Sequence, residues 1–164
     1  MDATVLFSHG SLLCGAGEAL RAHAERLRAQ SLTPLVAVGY LNYSDPPFID
    51  AVAECVAAGA TRILVTPYFL VPGYFVKVDL PKAVAEAQEH FPNIAFVVAH
   101  AIGFDERLAD ALIESANAAV GPEGWREDLI RAALFCRPSP TCPLFGTPNC
   151  PKAGLPDPPL LTCE

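Results

Sequence analysis

The chain has 164 residues and a mass of 17.4 kDa, the size of one ordinary domain, and its 52% hydrophobic content with only 18% charged residues excludes a disordered protein. Eleven basic and 18 acidic residues give a net charge of −7, which argues against nucleic acid or an anionic membrane as the main partner. No apolar run reaches the roughly 18 residues of a membrane span, and the first residues lack the basic start of a signal peptide, so a cytoplasmic protein is expected.

Short apolar runs alternate with helical patterns along the first 120 residues. In chain order, the predicted elements are a strand at 3–7, a helix at 15–30, a strand at 35–41, a helix at 48–58, a strand at 61–66, a helix at 79–90, a strand at 94–99 and a helix at 105–119. Asp45 with Pro46 and Pro47 is predicted to cap and open the second helix, Asp79-Leu80-Pro81 to start the third, and Asp105 to cap the fourth.

This alternation predicts the fold class. Four strand-then-helix units without hairpin signals indicate an open, four-stranded parallel α/β sheet with helices on both faces. Gly121 marks a change in composition, so we expect one domain over residues 1–121 and an extension over residues 122–164. The extension is predicted to hold one more helix at 125–135, followed by an irregular tail with eight prolines from Cys136 onward.

Ligands of open parallel sheets bind in the crevice beyond the carboxyl ends of the strands. The stretches that follow the four predicted strands are 8–11, 42–45, 67–79 and 100–103. They place His9 and His100 at this edge of the sheet, which we call the rim. The other two histidines are predicted to be structural, because His23 lies in mid-helix and His90 near a helix C-terminus, where a cation suits the helix dipole.

The segment after the third strand is rich in aromatic residues. Tyr68, Phe69, Tyr74 and Phe75 fall within eight residues, and Tyr43 comes from a neighbouring loop. A cleft lined by aromatic rings suits a large, flat, conjugated ligand. The same rings would equally cover a sheet edge or a dimer contact, and their spacing does not separate these interpretations.

Four motifs occur in order along residues 3–120. They are Val5-Leu6-Phe7-Ser8-His9-Gly10-Ser11, Gly39-Tyr40-Leu41 followed by Pro46-Pro47, the segment from Pro67-Tyr68-Phe69-Leu70-Val71-Pro72-Gly73 to Asp79-Leu80-Pro81, and Gly103-Phe104-Asp105-Glu106-Arg107-Leu108. Together they resemble the CbiX/SirB class II chelatases, which insert cobalt or iron into sirohydrochlorin. The resemblance implies a chelatase-like (flavodoxin-like) fold, pairing into homodimers, and a tetrapyrrole bound at the rim.

The resemblance also implies roles for individual residues. His9 matches the family's histidine after the first strand, which is a metal ligand and proton acceptor. The residues implied to contact the tetrapyrrole are Ser8, Gly10, Ser11, Tyr43, Tyr68, Phe69, Gly73, Tyr74, Phe75 and Lys77.

Three positions depart from the family's pattern. Phe75 stands where the family has its second histidine, Asn42 stands near the place of an acidic residue, and Leu12 replaces an arginine. Two interpretations follow. The chain is a divergent chelatase that recruits His100 as a metal ligand and catalytic group, or it is a relative that binds a tetrapyrrole or a metal without inserting one into the other.

Metal insertion requires a group that displaces water from the metal and accepts two pyrrole protons. A neutral imidazole does both, and nitrogen ligands suit cobalt or ferrous iron better than magnesium. Sirohydrochlorin carries many carboxylates, so a chain with a net charge of −7 must offer local positive potential. Lys77 and the backbone N–H groups at helix N-termini are the candidates on the rim.

Four of the six cysteines lie in the tail. Cys136, Cys142, Cys150 and Cys163 are separated by five, seven and twelve residues, which is neither the usual zinc spacing nor a ferredoxin pattern. Long members of the family sometimes carry an iron–sulfur-type extension, so an iron–sulfur cluster is one interpretation. A zinc site and free or disulfide-bonded cysteines are the others.

The sequence therefore predicts an enzyme that inserts a divalent cobalt or iron ion into sirohydrochlorin, in cobalamin or sirohaem biosynthesis. The competing hypothesis is a non-catalytic tetrapyrrole or metal carrier with a redox-responsive, cysteine-rich tail.

Overall fold

The computed structural model describes residues 1–10, 16–42, 44–119, 121 and 146–147, with only the backbone for residues 16–18. The elements in chain order are β1 (Asp2–Ser8), α1 (Ala16–Ala29), β2 (Leu35–Tyr40), α2 (Phe48–Ala57), β3 (Arg62–Pro67), α3 (Leu80–His90), β4 (Ala95–Val98) and α4 (Glu106–Asn117). The predicted alternation of strands and helices is confirmed. Among these helices, each is too short or too polar to cross a membrane. The helix predicted at 125–135 and the tail lie outside the described residues.

The four strands form one parallel sheet in the order β2-β1-β3-β4. Phe7 near the end of β1 pairs with Gly39 on one side and Pro67 on the other, so the three strands end at the same level. Because all four strands run in one direction, the loops that follow them meet at the rim. The predicted parallel sheet is confirmed.

Side chains alternate along the strands, so each face of the sheet has its own core. The α1 face is built from Leu6, Leu20, Ala24, Val36, Val38 and Tyr40. The opposite face packs the odd-numbered β1 residues against α2 and α3, with Phe7, Val52, Ile63 and Leu80 among its buried side chains. Cys55 belongs to this second core, where burial and then the nearby Glu54 carboxylate raise the pKa of its thiol.

The helix α2 begins at Phe48 as predicted, but its capping differs from the prediction. Asp45 does not cap the helix: the N-cap residue is Pro47, which has no capping side chain, and Phe48 is the first helical residue. The reason lies in the backbone, because the Pro46 carbonyl accepts a hydrogen bond from the Tyr40 N–H at 3.0 Å. Pro46 and Pro47 are thus held beside the end of β2. The Asp45 carbonyl accepts a hydrogen bond from Arg21 at 2.7 Å.

The start of α3 agrees with the prediction, because Asp79 is the N-cap residue, Leu80 is the first helical residue and Pro81 lies in the first turn. A π-helical turn, Phe75–Asp79, which the sequence did not predict, runs directly into the helix. Pro81 has no N–H to donate to the carbonyl four residues before it, and its ring crowds that carbonyl, so the preceding turn widens. This turn places Phe75 at the rim.

Asp105 caps α4, as predicted. Its carboxylate accepts hydrogen bonds from the Arg107 backbone N–H at 2.9 Å and from the Arg107 guanidinium at 2.8 and 2.7 Å. The side-chain hydrogen bonds, followed by the backbone one, lower the pKa of Asp105 from 3.8 to about 2.

We expect the capping contribution of Asp105 to be complete above pH 3.8 and to disappear as the pH falls through about 2, since folding lowers its pKa. Replacing Asp105 with alanine should therefore lower the helix content and melting temperature at pH 7, measured by circular dichroism, and the gap to wild type should close towards pH 2. Glu114→Ala on the same helix is the matched control. An equal gap at both pH values would contradict this explanation.

Candidate functional site

His9 is held at the rim by backbone hydrogen bonds between the ends of β1 and β2. The Leu41 N–H donates to the Ser8 carbonyl at 2.9 Å, and the Asn42 N–H donates to the His9 carbonyl at 3.0 Å. Gly10 follows with φ +82°, and a Cβ atom there would lie 1.8 Å from the Asn42 oxygen. Only glycine lets the two loops approach this closely, and any side chain at position 10 would push the loop that holds His9 away from Asn42.

The His9 side chain belongs to a group of three aromatic rings, which we call the ring cluster: His9, Phe69 and Phe75. The His9 imidazole stacks on Phe75 with ring centroids 5.2 Å apart and planes 17° apart, and Phe69 lies 5.9 Å from His9 and 6.0 Å from Phe75. Phe69 also contacts the core ring of Phe7 at 6.1 Å. The cluster is thus anchored in the core, while His9 and Phe75 remain exposed.

This arrangement combines an apolar platform with one basic nitrogen-containing ring. The exposed Phe75 face and the neighbouring Tyr74 offer area on which a flat conjugated ligand can stack. The imidazole of His9 can bind a metal or accept a proton beside that platform. Phe75 itself supplies no donor atom, so the position that faces His9 contributes packing and no metal ligation.

A second aromatic pair lies on the α1 side of the rim. The Tyr68 hydroxyl and His23 Nε2 are 3.4 Å apart, and their rings are 5.2 Å apart. This contact was not predicted from the sequence, and the structural role of His23 stays a prediction. The helix spacing carries a signal for the contact, because His23 follows Leu20 by three residues and precedes Leu27 by four, which places it beside the buried stripe of α1.

His100 is exposed and follows β4, which β3 separates from β1 in the sheet. It lines a depression of about 600 Å³ with apolar side chains that include Pro72, Val76, Leu80 and Val98. Among the described residues, no three histidine, cysteine, aspartate or glutamate side chains converge on a common metal position. The recruitment of His100 as a metal ligand and catalytic group therefore stays a prediction.

Most of the other residues predicted to contact the tetrapyrrole belong to segments at the rim. Ser8 ends β1, Gly73 accepts hydrogen bonds from the Val76 and Lys77 N–H groups at 3.2 and 3.0 Å, and Tyr74 and Lys77 are exposed. Ser11, Tyr43 and the tail cysteines Cys136, Cys142, Cys150 and Cys163 lie outside the described residues. The iron–sulfur cluster on those cysteines stays a prediction.

The segment that carries the aromatic residues is tied to the loop after β4. The Ile102 N–H donates to the Phe69 carbonyl at 3.0 Å, and the Gly103 N–H donates to the Leu70 carbonyl at 2.9 Å. Gly103 has φ +65°, which favours glycine at this turn. Like the loop that holds His9, this loop continues the pairing of the sheet beyond the last strand residues.

Comparison with known proteins gives consistent results. The CbiX family model matches residues 3–119. A sirohydrochlorin cobaltochelatase of Sulfolobus acidocaldarius is 32% identical over 124 residues, which are 76% of this chain and 97% of that protein. A sirohydrochlorin ferrochelatase of Priestia megaterium is 29% identical over 117 residues, which are 71% of this chain and only 44% of that protein. The chain therefore spans less than half the length of the Priestia relative.

A solved structure supports the fold. The sirohydrochlorin chelatase SirB from Bacillus subtilis subspecies spizizenii, in complex with cobalt, superposes with a TM-score of 0.67 at 24% identity, covering 81% of this chain and 60% of that one. Since the CbiX family model matches residues 3–119, which are most of the chain, the chain belongs to the CbiX family.

Proposed function

We propose that this chain is a chelatase that inserts a divalent metal ion, cobalt or ferrous iron, into sirohydrochlorin. One observation carries the proposal: His9 is an exposed imidazole at the rim, stacked against Phe75 and Phe69, in a chain of the CbiX family. The names of the relatives from Sulfolobus and Priestia support the substrate, and they support cobalt and iron as the two candidate metals.

The geometry supports separate roles for the aromatic rings and for the imidazole. The ring cluster seats one face of the macrocycle, which leaves its pyrrole nitrogens beside the His9 imidazole. Two N–H bonds break during insertion, and each electron pair forms a bond from nitrogen to the incoming metal. Before transfer, the imidazole would replace a water molecule on the metal. Once the metal has moved to the macrocycle, the freed nitrogen of the imidazole would accept the released protons one at a time and pass them to water.

The direct test is a metal-insertion assay. Purified protein is mixed anaerobically with sirohydrochlorin and Co²⁺ or Fe²⁺, and the absorbance change of the macrocycle is followed. We expect insertion that is proportional to protein concentration and faster than without protein. A rate equal to the protein-free reaction with both metals would contradict the proposal.

A specific observation favours one second candidate, a tetrapyrrole or metal carrier. Phe75 faces His9 with a ring that has no donor atom, so among the described residues His9 is the single metal-binding side chain of the ring cluster. A carrier would bind sirohydrochlorin, seen as an absorbance shift on titration, without accelerating insertion. The two candidates therefore differ in the rate of metal insertion and not in the binding of sirohydrochlorin.

A homodimer is part of the proposal, and exposed apolar side chains after β4 support it. Leu112 and Ile113 on α4 are 68% and 59% exposed, and Phe104 before the helix is 88% exposed. We expect light scattering to give twice the monomer mass, and Leu112→Glu to shift the protein towards monomer while Glu114→Lys does not. A monomer at micromolar concentration would contradict the dimer.

The cytoplasmic location and the domain boundary at residue 121 are proposals from the sequence alone.

A further inference from the structure

His23 and Tyr68 come from distant parts of the chain and meet at the rim. Tyr68 directly follows β3, where its N–H donates to the Phe7 carbonyl at 2.7 Å, and His23 lies on α1, 45 residues earlier. Tyr68 and Phe69 are neighbours, and their side chains lie on opposite faces of the sheet, because Tyr68 contacts His23 of α1 and Phe69 contacts Phe7 of the other core. The pair therefore lies on the α1 side of the strand end whose next residue belongs to the ring cluster.

The contact between the two side chains is open to solvent. Tyr68 is 42% exposed and His23 is exposed, so neither polar atom is enclosed by the protein. Their separation of 3.4 Å is longer than the roughly 2.7–3.2 Å of well-formed hydrogen bonds. A weak, exposed contact of this kind adds little to fold stability, and its atoms are accessible to a ligand.

The chemistry of the pair suits an anion. With a hydrogen on His23 Nε2, both that N–H and the Tyr68 O–H are donors, and they can converge on one acceptor. A carboxylate oxygen placed between them would replace one long hydrogen bond with two charge-assisted ones. A neutral ligand group would not gain this advantage.

We propose that Tyr68 and His23 bind a peripheral carboxylate of the anionic tetrapyrrole and thereby position the macrocycle on the ring cluster. This inference rests on the proposed function, because it concerns the same substrate. It assigns His23 a substrate-binding role, and it gives the aromatic segment two tasks: Phe69 and Phe75 seat the ring, and Tyr68 holds its edge. In a chain with a net charge of −7, such donors offset the repulsion that a polycarboxylate meets.

The test compares wild type with Tyr68→Phe, His23→Ala, the double variant and His23→Gln. Each of the first two removes one donor, so we expect KM for sirohydrochlorin to rise about tenfold while kcat stays within about twofold. The double variant should cost little more than either single one, because the donors act on one carboxylate. His23→Gln retains a donor and should restore part of the affinity. His90→Ala, which removes an exposed imidazole from the far end of α3, is the matched control.

A second measurement separates this inference from the proposed function. Titration of sirohydrochlorin without metal reports binding alone, and the dissociation constant should rise by the same factor as KM. If wild type binds the tetrapyrrole but inserts no metal, the chelatase proposal fails and the titration still tests the pair. Unchanged binding in both single variants would overturn the inference, and so would a fall in kcat at constant KM.

Discussion

Replacing His9 with alanine is expected to reduce the rate of metal insertion by about 10²–10⁴-fold, the range that removal of a proton-transfer residue usually costs. The effect should fall mainly on kcat, because Phe69 and Phe75 still offer their rings to the macrocycle. The measurement is the anaerobic insertion assay with Co²⁺, run beside a titration of sirohydrochlorin without metal.

The fold should survive this change. His9 is exposed, and its backbone hydrogen bond with Asn42 does not involve the imidazole, so we expect the free energy of unfolding to change by less than about 1 kcal/mol. His90→Ala again serves as the control for the loss of an exposed histidine. If His9→Ala inserts cobalt at the wild-type rate, then His9 is neither the ligand nor the proton acceptor.

Replacing Phe75 with histidine is expected to raise the affinity for Co²⁺ by at least about tenfold, which corresponds to ~1.4 kcal/mol. The two rings are 5.2 Å apart in this structure, so a second imidazole would stand beside that of His9 and add a nitrogen ligand. Calorimetric titration with Co²⁺ measures the affinity, and the visible spectrum of the bound cobalt reports the ligand change.

The same variant decides between the two candidate functions. If wild type is a carrier because it has one imidazole in the ring cluster, Phe75→His should gain an insertion rate that wild type lacks. If wild type is a chelatase, it should already show a measurable rate of metal insertion before the substitution. Tyr74→His places the new imidazole one position away and is the matched control. An unchanged cobalt affinity in Phe75→His would show that positions 9 and 75 do not share a metal.

The sequence was sufficient for the sheet, the strand positions and the rim. These follow from hydrophobic periodicity and from the direction of parallel strands, which are local signals. The path of the chain just before α2 and α3 was not predictable in this way. At Pro46 the deciding contact is a hydrogen bond with Tyr40 of the neighbouring strand, and at Phe75 it is a turn widened by a proline six residues later.

The contacts within the ring cluster were not predictable from the sequence. His9, Phe69 and Phe75 were named from the sequence, but which rings touch depends on how two loops fold over one strand end. The contact between His23 and Tyr68 was not predicted, because the two residues are 45 positions apart along the chain. Likewise, His100 shares the rim with His9, yet it faces a separate depression, because β3 lies between their strands.

The hydrogen bonds that continue the sheet pairing beyond β1 and β3 have a consequence for divergence. They use main-chain atoms alone, joining Asn42 to His9 and Ile102 to Phe69, so they do not depend on which side chains the loops carry. Apart from the glycines at 10 and 103, residues on these loops can therefore be exchanged while the frame that presents them stays in place. Side chains presented at the rim can thus change one at a time, without loss of the sheet that supports them.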